Sequence, residues 1–248
     1  MLVTGGSSGI GRAIAIAAAR AGADVALTYR ANERGARDAA REVESLGRRA
    51  RILRLDLTDN ASVAGLNAAV RAALGGVDAW VNNAGADVLT GPGATLSLNE
   101  KLDLLLRVDL RGTMLASWQA AELMATQDAG GVIINMSWDH VLTGMAGIEA
   151  QLFSAVKGGV LAFSKSLART VAPRVRVNVL APGWIETAMI RPVFEDNEYH
   201  QTVLKSIPLN RMAATDDVAL AICFLLSDWA RHITGEILNI NGGAVLCG

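Results

Sequence analysis

Eight residues near the start of the chain, Thr4-Gly5-Gly6-Ser7-Ser8-Gly9-Ile10-Gly11, have the spacing to hold a pyrophosphate. Glycines at 5, 9 and 11 permit a tight turn, close approach of backbone to phosphate, and close packing of a helix on a strand. The helix that follows offers its positive end to the negative charge. Glycine loops also serve plain turns, so the neighbouring residues decide. Asp56 ends the run Leu53-Arg54-Leu55-Asp56-Leu57. There its carboxylate either accepts a hydrogen bond from an adenine amino group or caps a helix, and Asp59 is the better cap. Asn82-Asn83-Ala84-Gly85 supplies amides able to tie neighbouring strands and a glycine that lets the backbone approach a ribose.

Short aliphatic or β-branched runs alternate with longer alanine-rich stretches of helical period, the pattern of a parallel sheet wrapped by helices. Strands are expected near 2–4, 24–29, 50–55, 77–82, 131–136, 174–180 and 236–240. Helices are expected near 9–22, 33–46, 60–74, 98–127, 150–172 and 215–227, with a shorter helical excursion around 189–205. Gly22, Gly47 and Gly75-Gly76 sit where helices should stop. With no linker, repeat or low-complexity segment in between, residues 1–248 read as one doubly wound Rossmann-type α/β domain with a mostly parallel, seven-stranded sheet. Only Met1, Leu2 and Val3 precede Thr4, so the first strand is expected to be short; whether it is truncated or the natural chain is longer stays open.

Bulk composition narrows the function class. A hydrophobic content of 51% over 248 residues suffices for a large core. A net charge of −1 gives no electrostatic reason to bind nucleic acid or an anionic membrane. No apolar run approaches the roughly 20 residues needed to cross a bilayer, and no charged leader precedes an apolar segment. Cys223 and Cys247 are far apart and suggest neither a disulfide nor a metal site. The expectation is a cytoplasmic protein that handles a small metabolite.

These elements together resemble the short-chain dehydrogenase/reductase family from end to end, in the manner of its 3-oxoacyl-carrier-protein reductase members. The glycine-rich element matches residues 4–11, the Asn-Asn-Ala-Gly element 82–85, and the Pro-Gly element Pro182-Gly183. Ile233-Thr234-Gly235-Glu236 through Asn241-Gly242-Gly243 looks like the family's closing strand. The resemblance implies a dinucleotide held by Gly5, Ser7, Ser8, Gly9, Ile10, Gly11, Asp56, Leu57, Asn83, Ala84, Gly85 and Lys157. It also implies that Pro182, Gly183, the backbone of Ile185 and the hydroxyl of Thr187 meet the nicotinamide carboxamide. The second strand ends Thr28-Tyr29-Arg30, with no carboxylate until Glu33. A carboxylate there would bond ribose hydroxyls, whereas a 2′-phosphate calls for positive charge, so Arg30 favours NADP(H) and leaves NAD(H) as the alternative. Ser8, where NADP-preferring relatives often carry a second basic residue, weakens that preference.

At the catalytic end the pattern departs from the family. A tyrosine is expected four residues before Lys157; Phe153 stands there, and the only tyrosines are Tyr29 and Tyr199. Asp109 takes the position of the family's asparagine, either as a replacement acid or solely as an ion-pair partner that keeps Lys157 charged. The loop after the fifth strand is longer than usual by about two residues, so the serine position is ambiguous. Counting forward from Val132-Ile133-Ile134-Asn135-Met136 reaches Trp138, one step past Ser137; counting back from Phe153 reaches His140. Phenylalanine cannot move a proton. Asp109, Asp139 and His140 are the replacements on offer, with Trp138 a pocket wall; a histidine donates readily at neutral pH. The alternatives are a solvated loop position for His140 and a cap or turn for Asp139.

Residues 187–210 correspond to the family's variable lid, and Met189, Ile190, Val193, Phe194, Tyr199 and His200 suggest an apolar or aromatic small substrate. Stretches 98–127 and 150–172 carry apolar residues on more than one face, so a homodimer or homotetramer is expected. Two functions follow: an NAD(P)(H)-dependent oxidoreductase with a non-standard proton donor, or a cofactor-binding protein that has left redox chemistry for isomerisation, cyclisation, elimination or a scaffold role.

Overall fold

The shortest strand lies inside the sheet. In the computed structural model, which describes residues 1–188 and 190–246, β1 is only Leu2–Val3. It lies between β2 (Val25–Tyr29) and β4 (Ala79–Asn82) in the order β3-β2-β1-β4-β5-β6-β7. The outer strands are β3 (Ala50–Arg54), β5 (Gly131–Met136), β6 (Val175–Pro182) and β7 (Ile237–Ile240). Every pairing is parallel, with Leu2 facing Ala26 on one side and Trp80 on the other, so the sheet is wholly rather than mostly parallel. Met189, the side chain of Val193, and Cys247 lie outside the described residues.

Helices cover both faces, which is why the strands read as continuous apolar runs rather than alternating ones. On one face α1 (Gly9–Arg20), α2 (Glu33–Ser45) and α10 (Thr215–Leu226) enclose Val3, Val25, Leu27 and Ile134. On the other, α3 (Asn60–Ala64), α4 (Leu66–Leu74), α7 (Thr113–Ala125) and the long α8 (Ile148–Val171) enclose Leu2, Trp80, Ile133 and Val177. Gly22, Gly47 and Gly75 follow helix ends at φ of 98°, 75° and 83°, the left-handed region where a Cβ would be strained.

Three expectations need correction. Gly65 divides the helix expected over 60–74 into α3 and α4, with Asp59 capping α3 through Ala61 N–H. A one-turn α5 (Gly91–Ala94) falls where a loop was expected. The helix expected over 98–127 is α6 (Leu98–Leu105), then a π-helical stretch Leu106–Gly112, then α7. Single π turns inside α-helices recur at functional sites, and this one carries Asp109. The lid contains a 3-10 turn at Arg191–Phe194 and α9 (Asn197–Ser206), capped by Asp196.

A buried polar row fixes the elements that carry the site. Trp80 Nε1 donates to Asn82 Oδ1, Asn82 Nδ2 donates to Ser117 and Asn135, and Asn135 Nδ2 donates to Ser164, whose hydroxyl donates to Val160 O. Each side chain of the row is hydrogen-bonded within it, and the row ties β4 and β5 to α7 and α8. Among the described residues no helix is long and apolar enough to cross a membrane.

Candidate active site

The glycine loop is shaped by neighbours that exclude side chains. Gly5 and Gly9 have φ of 67° and 51°. A Cβ at Gly11 would lie 2.2 Å from Gly5 O and 2.5 Å from Asn83 Nδ2, so no larger residue fits beneath the turn. Ser8 enters α1 with extended backbone and no side-chain cap, and no acidic residue occupies the first turn. The N–H groups of that turn therefore have neither a capping oxygen nor a carboxylate against them, which fits a bound anion. Ile10 packs on the core beneath. Ser7 O lies where a Cβ at Gly35 would come within 2.4 Å, so the start of α2 abuts the loop. The loop thus fits a dinucleotide pyrophosphate.

Asn83 and Ala84 bind this loop to β4. Both backbone N–H groups donate to Thr4 Oγ1 at 3.0 Å, and Asn83 Nδ2 donates to Thr4 O at 3.0 Å. Arg30 is exposed at the end of β2 and makes no ion pair among the described residues. Asp56 takes its hydrogen bonds from Thr58, at 2.7 Å from Oγ1–H and 2.9 Å from N–H. These hold its carboxyl below the ordinary range, with Arg30 and Arg107 adding charge attraction. Leu57 is buried where a Cβ at Gly112 would lie 2.8 Å from its own Cβ. Thr187 Cγ2 would stand 3.8 Å from a Cβ at Gly9, which brings the segment after Pro182-Gly183 over the loop. Ile185 bridges Ala213, but the bonds use Trp184 O and Glu186 N–H and leave the backbone of Ile185 out of them.

Lys157 and Asp109 form an ion pair of 2.8 Å, with side chains 13% and 2% exposed. The other oxygen of Asp109 accepts Ala86 N–H at 2.8 Å, and a Cβ at Gly85 would lie 2.9 Å from Oδ1. Ser137 Oγ donates to Lys157 O at 2.9 Å, which pins α8 to the end of β5. Phe153, one turn before the lysine, packs with Val88, Leu105, Leu152 and Val156. Trp138 stands between it and His140, with ring centroids 6.2 Å and 5.0 Å away.

Asp139 opens a 3-10 turn, Asp139–Val141, as the turn alternative had it, and its carboxyl group is also engaged: it is 1% exposed, with Oδ1 2.8 Å from His140 Nδ1 and Oδ2 accepting from Asn241 Nδ2 at 3.2 Å. His140 is not a solvated loop residue, since its side chain is 18% exposed. Nδ1 is the ring nitrogen that faces the Asp139 carboxyl group, and Nε2 is not engaged by it. Gly183 lies against this pair, for a Cβ there would be 2.8 Å from Asp139 Oδ2. Tyr199 is engaged in the lid, stacked on Phe194 at 5.8 Å and edge-on to Trp184, and does not substitute at position 153. Asn241, 102 residues from Asp139, was not anticipated as a site residue; the Asn241-Gly242-Gly243 pattern marks the closing element but not this contact. Among the described residues no group of three His, Cys, Asp or Glu could hold a metal.

Parallel strands, a glycine turn at the carboxyl end of β1, and a lysine on α8 beyond the end of β5 define a dinucleotide-type oxidoreductase fold. Residues 5–245 match the family model described as enoyl-(acyl carrier protein) reductase. The chain is 35% identical to 3beta-hydroxysteroid dehydrogenase 1 of Eggerthella lenta, over 99% of this chain and 93% of that one. It is 38% identical to the 3-oxoacyl-[acyl-carrier-protein] reductase of Escherichia coli K12, over 98% and 95%. The crystal structure of a short chain dehydrogenase from Burkholderia cenocepacia in complex with NADP superposes with a TM-score of 0.85 at 34% identity, over 98% and 96%. The chain belongs to the short-chain dehydrogenase/reductase family of oxidoreductases.

Proposed function

We propose that this protein is an NADP(H)-dependent oxidoreductase for a small apolar or aromatic substrate, in which His140, held by Asp139, supplies the proton that no tyrosine is present to give. The observation that carries this reading is the 2.8 Å contact between a buried carboxylate and an imidazole on the wall shared with Trp138 and Phe153. When bound, the nicotinamide supplies the hydride. The residues around it bind, orient and trade protons. The glycine loop and the start of α1 take the pyrophosphate, Arg30 the 2′-phosphate, and Lys157, steadied by Asp109, a ribose hydroxyl. In its charged form His140 carries a proton on each ring nitrogen: Nε2 gives its proton to the reduced substrate, Nδ1 keeps the other toward Asp139, and Nε2 takes a new proton from solvent. Trp138 and Phe153 form an apolar wall suited to a flat or hydrocarbon substrate. The NADP complex of the Burkholderia relative supports the cofactor, and Arg30 supports the phosphorylated form.

A second reading, a cofactor-binding protein without ordinary carbonyl reduction, is favoured by one feature. Phe153 fills its place as part of an apolar cluster, and Asp109 neutralises the lysine next to it. NADPH oxidation with carbonyl, imine and activated-alkene substrates separates the two in wild type, His140→Ala and Phe153→Tyr. Loss of the acid should cost about 10²- to 10⁴-fold in His140→Ala. Binding without turnover, with activity gained only in Phe153→Tyr, would favour the second reading. Exposed Leu106 and Trp118, the latter edge-on to Phe163 of α8, support a homodimer or homotetramer across these helices, and a monomeric mass by light scattering would count against it.

A further inference from the structure

Asn241 joins the Asp139–His140 pair to the loop that follows β7. It is 8% exposed, and both ends of its amide are engaged. Nδ2 donates to Asp139 Oδ2 at 3.2 Å and to Val245 O at 2.9 Å, while Oδ1 accepts Gly243 N–H at 3.1 Å. Two acceptors at one end and an N–H at the other admit a single orientation of the amide. A carboxylate as buried as Asp139 needs donors, and among the described residues it has one on each oxygen, Asn241 and His140. Fixing Oδ2 therefore fixes the direction in which Oδ1 faces the ring. The end of β6 closes the space behind: a Cβ at Gly183 would lie 2.7 Å from Asn241 Cβ.

We propose that Asn241 is a positioning residue, which holds the Asp139 carboxylate so that His140 keeps a proton on Nδ1 while Nε2 is the nitrogen that gives one to the substrate. This rests on the reading of His140 as proton donor. The chemistry at 241 is specific: aspartate has the same shape but no N–H for Asp139 or for Val245 O, and it would place two carboxylates against each other. The same loop receives the end of the lid. Leu209 N–H donates to Gly242 O at 3.1 Å, and a Cβ at Gly242 would lie 2.6 Å from Ile207 Cγ2. The lid segment and the carboxylate that orients His140 are thus both anchored on the loop that Asn241 opens.

The test pairs spectroscopy on the coenzyme-free protein with kinetics. The chain has three histidines, and His140→Ala assigns the 15N ring signals of residue 140. With the ring neutral at alkaline pH, wild type should show the remaining proton on Nδ1; Asn241→Ala and Asn241→Asp should shift it toward Nε2 or a mixture. The same variants should lose about 10- to 100-fold in kcat with little change in KM, within the range that acid–base catalysis supplies. A purely structural role would lower the melting temperature and leave the ring proton in place. An unchanged tautomer or an unchanged kcat in Asn241→Ala, the milder variant, would overturn the proposal. Wild-type turnover in His140→Ala would instead overturn the proton-donor reading itself.

Discussion

Replacing Asp109 by alanine strands a charge. The Lys157 ammonium is 2.8 Å from a carboxylate that is 2% exposed. At that separation and an effective dielectric near 20 the attraction is about 6 kcal/mol, and removing both ions from water takes back several of those kcal/mol. Asp109→Ala keeps the cost of the buried ammonium without its compensation, a loss of about 3–5 kcal/mol. The Ala86 N–H, which donates to Asp109 at 2.8 Å, also loses its acceptor. That loss is a large part of the roughly 5–15 kcal/mol that holds an ordinary domain together. Asp109→Asn preserves shape and an acceptor for Ala86, so it should recover about 1–2 kcal/mol. Asp109→Ala combined with Lys157→Ala removes both charges and should cost less than the two single changes added, by about 2 kcal/mol. Urea unfolding of the coenzyme-free protein at one protein concentration, followed by circular dichroism, reads the stabilities of wild type, Asp109→Ala, Asp109→Asn, Lys157→Ala and the double change. A cost under about 1 kcal/mol for Asp109→Ala, or additivity within about 0.3 kcal/mol, would show that the pair contributes nothing net and refute the reasoning.

Two further outcomes follow from charges elsewhere. Asp24 accepts Arg49 N–H and its guanidinium and pairs with Arg48; the Arg49 hydrogen bonds chiefly hold its carboxyl down to about 2, from 3.8. A lowered folded value contributes stability that is full above pH 3.8 and lost as pH falls toward about 2. Asp24→Asn should flatten the stability–pH slope in that window, and an unaltered slope in acid denaturation would contradict it. Arg30→Ala should weaken NADPH binding about 10- to 100-fold, the worth of a charged hydrogen bond, and leave NADH within about twofold. Equal losses measured by fluorescence titration would remove Arg30 from the 2′-phosphate.

Strands and helices were legible because a sheet buried on both faces leaves continuous apolar runs, and glycines mark where helices stop. Most boundaries fall within a residue or two of those expected. The π-helical stretch was not legible, since one extra residue per turn hardly disturbs the apolar period of 98–127. In the site, an ion pair with Lys157 was one of two roles open to Asp109, which departs from the family's asparagine, and the pair is present. His140 and Trp138 stayed ambiguous because the loop carries extra residues, and counting from either end gives a different register. Only the coordinates bring their rings together, with centroids 5.0 Å apart. Asn241 shows the limit most clearly: its role depends on two strand ends meeting in space.

Seven parallel strands leave no hairpin anywhere in the sheet. Leu2 finds its partners at Ala26 and Trp80, so the middle of the sheet forms only after long stretches of chain have been closed into loops. Topologies of this kind fold slowly. During synthesis β1 leaves the ribosome first and waits for β4, while Val25–Tyr29 stands with an open edge. Yield in a cell is therefore expected to depend on protection of these apolar segments from other chains until the last helices dock.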